Sequence, residues 1–89
     1  PGITTQPAAA NVLEGENVTL SVAASGSGTL SYQWYRGGAG DTSNPVGTGG
    51  ASLTDGPVLA TTSYWVRVTS EFGSTDSQAA SVTMVPRVP

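Results

Sequence analysis

The sequence contains no cysteine, no histidine and no lysine. Each absence removes a branch of chemistry. Without cysteine there is no disulfide, no thiol nucleophile and no thiolate zinc site. Without histidine there is no imidazole base working near neutral pH. Without lysine there is no Schiff base and no intramolecular isopeptide crosslink. Charge is scarce as well: charged residues make up 10% of the chain, the net charge is -3, and the cations are Arg36, Arg67 and Arg87. An acidic balance argues against nucleic acid as a partner, because phosphate contacts need a basic face. No apolar run approaches the roughly 20 residues of a membrane-spanning helix, and nothing reads as a signal peptide. A sustained helical period is also missing.

What is present suits short strands and turns. The 89 residues are enough for one domain with one modest core. Ile3 to Pro7 reads as extended, and Glu14–Asn17 as a turn. Val18, Leu20 and Val22 then alternate with Thr19 and Ser21, the period of a half-buried strand. Ser25–Gly28 is a second turn. Leu30, Tyr32 and Trp34 share one face of the next strand, with Ser31, Gln33 and Tyr35 on the other. Ala51–Thr54 makes a short strand around Leu53, stopped by the turn residues Asp55-Gly56-Pro57. Tyr64, Val66 and Val68 face one way in a further strand, while Trp65, Arg67 and Thr69 face the other. Glu71–Ser74 is a tight hairpin, and the last strand runs near Ala79–Val85 with Val82 and Met84 inward. Frequent turns between short strands predict a β-sandwich or barrel. An inward tryptophan mid-strand, and a tyrosine two residues before a small inward aliphatic, favour the sandwich.

The stretch Tyr35–Gly50 carries six of the 12 glycines and raises the question of a phosphate or metal loop. A phosphate loop needs a lysine and a following helix, and neither is here. A calcium loop needs several closely spaced carboxylates, whereas Asp41 is the lone acid between Arg36 and Asp55. The expected role is a tolerant connection out of the strand, turning at Asp41–Pro45, with Val46 beginning a short return strand. Shortening it between Gly47 and Gly50 is expected to leave folding intact.

The segments ITTQP, VLEGENVTLSV, YQWYRG and SYWVRVTSEFGS…SVTMV, in that order, resemble an immunoglobulin-like domain. More closely, they are similar to the cysteine-free, I-set-like modules of bacterial extracellular multidomain proteins. The resemblance covers essentially the whole chain. It implies an all-β immunoglobulin-like β-sandwich of two antiparallel sheets and about seven strands, without a disulfide. In the family pattern Val22 and Val66 stand where strands B and F carry the paired cysteines. Trp34 falls at the strand C tryptophan and Tyr64 at the tyrosine corner, whose hydroxyl bonds backbone a few residues upstream. The structural core implied is therefore Trp34, Val22, Val66 and Tyr64. Residues 1–86 are expected to form the domain and 87–89 to begin a C-terminal linker, the PG start and VPRVP finish suggesting a piece of a longer polypeptide.

The function implied is that of a non-catalytic spacer in a larger bacterial secreted or cell-surface protein. Its partners would be neighbouring domains of the same chain, with no cofactor, no metal, no nucleic acid and no membrane insertion, and the isolated domain would be a monomer. The alternative is an adhesion module for carbohydrate or a surface protein. Its ligand face would be Trp65, Tyr35, Arg67 and Gln33, which strand phase places together on the outer side, where rings flanked by hydrogen-bonding groups can stack a sugar or anchor a partner. The acids Glu14, Glu16, Asp41, Asp55, Glu71 and Asp76 fall in turns or at strand ends, as solvated turn residues do. Asn17-Val18-Thr19 matches the glycosylation acceptor pattern, and in a bacterial protein would stay bare.

Overall fold

The computed structural model describes residues 1–47 and 49–86; the expected linker at 87–89, with Arg87, lies outside them. Ten strands form: β1 (Gly2–Thr5), β2 (Ala10–Leu13), β3 (Val18–Ser21), β4 (Ala23–Ser25), β5 (Ser31–Arg36), β6 (Pro45–Val46), β7 (Ser52–Asp55), β8 (Thr62–Ser70), β9 (Gly73–Asp76) and β10 (Ala80–Val85). The larger sheet runs β2-β10-β8-β5-β6, with β9 also along β8. The smaller layer is built from the pairs β1-β4 and β3-β7. Its middle strand is interrupted at Val22, whose N–H donates to the Ala51 carbonyl instead of to a strand partner. All the pairings are antiparallel except β2 with β10, which is parallel.

The alternation read from the sequence sets the core. Val18, Leu20, Val22 and Leu53 from the smaller layer, with Trp34, Tyr64, Val66 and Val82 from the larger sheet, belong to one buried cluster. Trp34 and Val66 are cross-strand partners. Both are fully buried, and the indole N–H of Trp34 donates to the Gly50 carbonyl at 2.9 Å. An aromatic ring of this size buries a large apolar surface in the core where no disulfide can form. A buried indole also needs a partner for its N–H, and Gly50 provides it.

Two strands escape the sequence reading. β2 is four residues long, and Ala10 and Asn11 give it no clear alternation. β9 follows the two-residue turn Glu71-Phe72, so that Ser70 pairs with Gly73, and its Gly-Ser-Thr-Asp sequence carries no apolar residue. Between β9 and β10 the edge of β8 is bridged by Ser77. Its N–H donates to the Val66 carbonyl, and its hydroxyl accepts the Val66 N–H. A side chain thus takes over one rung of the ladder, and Ser77 is buried because of it.

The glycine-rich stretch is not a tolerant spacer. Gly47 has φ +83°, and a Cβ there would come within 2.6 Å of a Leu53 methyl, so both backbone and packing demand glycine. Gly50 holds the core tryptophan. The expectation that Gly47–Gly50 can be shortened freely is therefore corrected: removing these residues would take the acceptor from Trp34.

Replacing Trp34 by alanine should cost about 3–5 kcal/mol, the usual range for a buried large aromatic. That is a large part of the stability of a small domain. Urea melts of the two proteins measure it, and a midpoint close to that of the wild type would show that Trp34 does not join the layers.

Candidate functional site

Strand phase brings the four outer residues together as expected. Gln33 pairs with Arg67 and Tyr35 with Trp65 across β5 and β8. The rings of Tyr35 and Trp65 stack, with centroids 4.7 Å apart and planes inclined by 19°. The Arg67 guanidinium lies 5.2 Å from the Trp65 ring centre, within the range of a cation–π contact. Arg67 is held there by Asp76, through bonds of 2.8 and 3.2 Å from Nε and an Nη to the two carboxylate oxygens.

The exposure expected of this face is corrected. Trp65 has no exposed surface, although it stands outside the core cluster. The connection after β5 folds back over it. Gly37 donates its N–H to the Ser63 carbonyl, the Ser63 hydroxyl donates to the Gly37 carbonyl, and the Trp65 indole N–H reaches the Asp41 carbonyl at 2.9 Å. Asp41 is fixed in its turn by accepting the Ser43 N–H on its carboxylate. Gln33 is engaged as well, donating to the carbonyls of Trp34 and Val46. The polar and aromatic groups that could receive a ligand are taken up by neighbours in the fold, and Tyr35 keeps only part of its surface.

A second cluster was not visible in the sequence. Among the described residues the Tyr64 hydroxyl bonds a side chain and not the backbone that the tyrosine corner implied. It donates to Asp55 Oδ2 at 2.7 Å, and Arg36 donates to the same oxygen at 2.7 Å. Register explains the meeting: Arg36 pairs with Tyr64 across β5 and β8, and β7 ends at Asp55 beside them. Burial pushes the Asp55 carboxyl up, but hydrogen bonds from Tyr64 and Arg36, with the charge of Arg36, outweigh it and hold the group below the usual carboxylate range. Burial, then the bond to Asp55, raises the Tyr64 phenol. Beside this cluster lies a groove of about 300 Å³, lined by Arg36 and Tyr64 together with Pro57, Leu59 and Ala60. The Gly56–Pro57 peptide bond at its head is cis.

No group of three or more metal-ligating side chains occurs among the described residues, and no buried side-chain polar atom among them lacks a partner. The acids Asp55 and Asp76 serve arginines rather than a cleft. Asn17 and Thr19 are both exposed at the start of β3.

The Tyr64–Asp55 bond joins a buried phenol to a charged acceptor, so Tyr64→Phe should cost about 1.5–3 kcal/mol. The linkage has a definite sign. A carboxyl depressed in the folded state adds stability above its unfolded pKa of about 3.9, and loses it as pH falls through the folded value. A phenol raised in the folded state adds stability below its unfolded pKa of about 10, and loses it as pH rises toward the folded value. Denaturant melts across pH should therefore show both limbs. Asp55→Asn should flatten the acid limb and Tyr64→Phe the alkaline one. Unchanged limbs in both variants would dissociate the cluster from stability.

Comparison with known proteins places this geometry. None of the curated proteins matches the sequence. Among solved structures, the chain is similar to the immunoglobulin domains of Sidekick-1, at 19% identity and a TM-score of 0.78, covering 97% of this chain and 20% of that one. It is similar to titin domains Z1Z2 in complex with telethonin, at 20% identity and a TM-score of 0.73, covering 98% of this chain and 48% of that one. A titin–obscurin-like 1 Ig complex matches at 17% identity and a TM-score of 0.76, covering 98% of this chain and 94% of that one. The chain thus spans about a fifth and about half of the first two. At these identities the likeness concerns the fold alone, an all-β immunoglobulin sandwich, which this chain builds without cysteine. A family model described as "Ig-like domain CHU_C associated" matches residues 1–86, and the chain belongs to that family of immunoglobulin-like domains.

Proposed function

We propose that this domain is a non-catalytic spacer within a larger bacterial secreted or cell-surface protein. The observation that carries this reading is the placement of its two ends. Gly2 pairs with Ser25 and Pro1 lies against Gly26, at the far end of the β3–β4 strand. Val85 pairs with Leu13, and its carbonyl accepts the Glu14 N–H, beside the turn that starts the same strand. The described chain therefore runs from one pole to the other of a body with extents of 51 × 23 × 19 Å. Modules of this shape set in series extend a protein along their long axis, and their neighbours in the chain are their natural partners.

The covered state of Trp65 supports the spacer over the adhesion alternative. A ring that anchors a ligand must present its face, whereas this one is stacked, hydrogen-bonded and roofed. Fold alone does not decide, since sandwiches host many roles.

The test is a glycan array probed with the 89-residue domain, together with Tyr35→Ala and Trp65→Ala. A spacer should show no saturable binding. Trp65→Ala should instead lower stability by about 3–5 kcal/mol, as loss of a buried tryptophan does. Saturable binding that Tyr35→Ala abolishes, with its melt unchanged, would replace the spacer by the adhesion reading.

A further inference from the structure

The two poles differ in chemistry. At the pole shared with Pro1, the β8–β9 hairpin projects Phe72 and carries the exposed Glu71, whose carboxylate rests beside Gly28. Phe72 is 72% exposed, the most exposed large apolar side chain among the described residues. Its backbone N–H donates to the Ser70 hydroxyl, so the tip is braced rather than loose. At the opposite pole lies the groove beside Arg36. Leu59, 64% exposed, lines it with Pro57, Ala60 and Thr62. The Arg36 side chain is about half exposed, and its bond to Asp55 uses one Nη. One pole thus presents an aromatic knob beside an acid. The other presents an apolar depression beside a cation, and the depression is large enough for one ring.

We infer that the groove receives the Glu71–Phe72 tip of a second copy of this chain, head to tail. The phenyl ring of Phe72 packs on Leu59 and Pro57, and the Glu71 carboxylate faces the Arg36 guanidinium. The inference deepens the spacer reading and rests on it, because in a series of modules the tip of one faces the groove of the one before. Knob and groove occupy different surfaces of the same molecule, so the contact is heterologous and adds copies in a line rather than closing a symmetric pair. One hairpin tip covers far less than the roughly 1,000 Å² of a stable interface. Free copies therefore associate weakly, and tethering in one chain raises the local concentration enough to hold the contact.

The experiment follows amide resonances of ¹⁵N-labelled 89-residue chain from micromolar to millimolar concentration, without glycan. The amides of Glu71 and Phe72 and those of Leu59–Thr62 should shift together, with an affinity that falls as salt rises; Glu71→Gln should remove that salt dependence. Phe72→Ala and Leu59→Asp, both at exposed positions, should each abolish the shifts while leaving the melt intact. A mixture of the two is decisive. Labelled Phe72→Ala keeps a groove and unlabelled Leu59→Asp keeps a tip, so shifts should return at Leu59–Thr62 of the labelled chain, and growth should stop at pairs. No shift at millimolar concentration, shifts centred elsewhere, or no recovery in the mixture would overturn the docking. Such failure leaves the spacer reading to its own glycan test.

Discussion

The structure depends on one connection that satisfies two buried indoles from opposite sides of one sheet. Trp34 and Trp65 project from neighbouring strands to opposite faces, and both are fully buried. Each indole N–H needs an acceptor, because a buried donor left unpaired costs about 1–3 kcal/mol. The chain between β5 and β7 supplies both: the Gly50 carbonyl on the core side and the Asp41 carbonyl on the outer side. The glycines allow this. They let the backbone pass close over Leu53 at Gly47 and turn back over the outer face without side chains of their own to place. In a chain without cysteine, these two anchored tryptophans join layers and loop where a covalent bridge would otherwise serve.

Charge is used with the same economy. Both described arginines are paired, Arg36 with Asp55 and Arg67 with Asp76, and both lie against rings, Tyr64 and Trp65. Exposed ion pairs of this kind contribute little each. Their effect here is positional. Asp76 holds Arg67 over the outer tryptophan, and Arg36 helps fix the carboxylate on which the Tyr64 hydroxyl rests. Arg67, which faces outward on β8, thus covers aromatic surface instead of offering it.

Strand phase was legible in the sequence, and what covers each face was not. The alternation around Trp34 and Val66 identified the inward faces of β5 and β8. It also put Gln33, Tyr35, Trp65 and Arg67 on the same outer side, because a period of two carries that information directly. Burial of Trp65 depends on a backbone carbonyl more than twenty residues earlier in the chain, brought into place by the Gly37–Ser63 bonds. Periodicity holds no record of such a nonlocal contact. The Tyr64 acceptor was hidden for a similar reason: Asp55 reads as a turn residue, and only the pairing of β5 with β8 and the end of β7 bring it under the phenol. β2 was hidden because its pairing is parallel and made to a strand at the other end of the sequence.

The edges of the sandwich say how such a domain can meet others. The edge strands of the larger sheet are β2, β6 and β9, of four, two and four residues, and β6 begins with Pro45. In the smaller layer, β1 and β7 have four residues each. The central β8 has nine. Short edge strands, one carrying a proline that has no N–H to donate, are poor templates for pairing with another sheet. The flanks therefore resist lateral growth, while Phe72, Leu59, Leu13 and Val85, the exposed large apolar side chains among the described residues, belong to the hairpin at one pole and to the segments gathered at the other. A surface that discourages contact along its sides and carries its apolar groups at its ends favours neighbours in line with the long axis, the direction in which the chain itself runs.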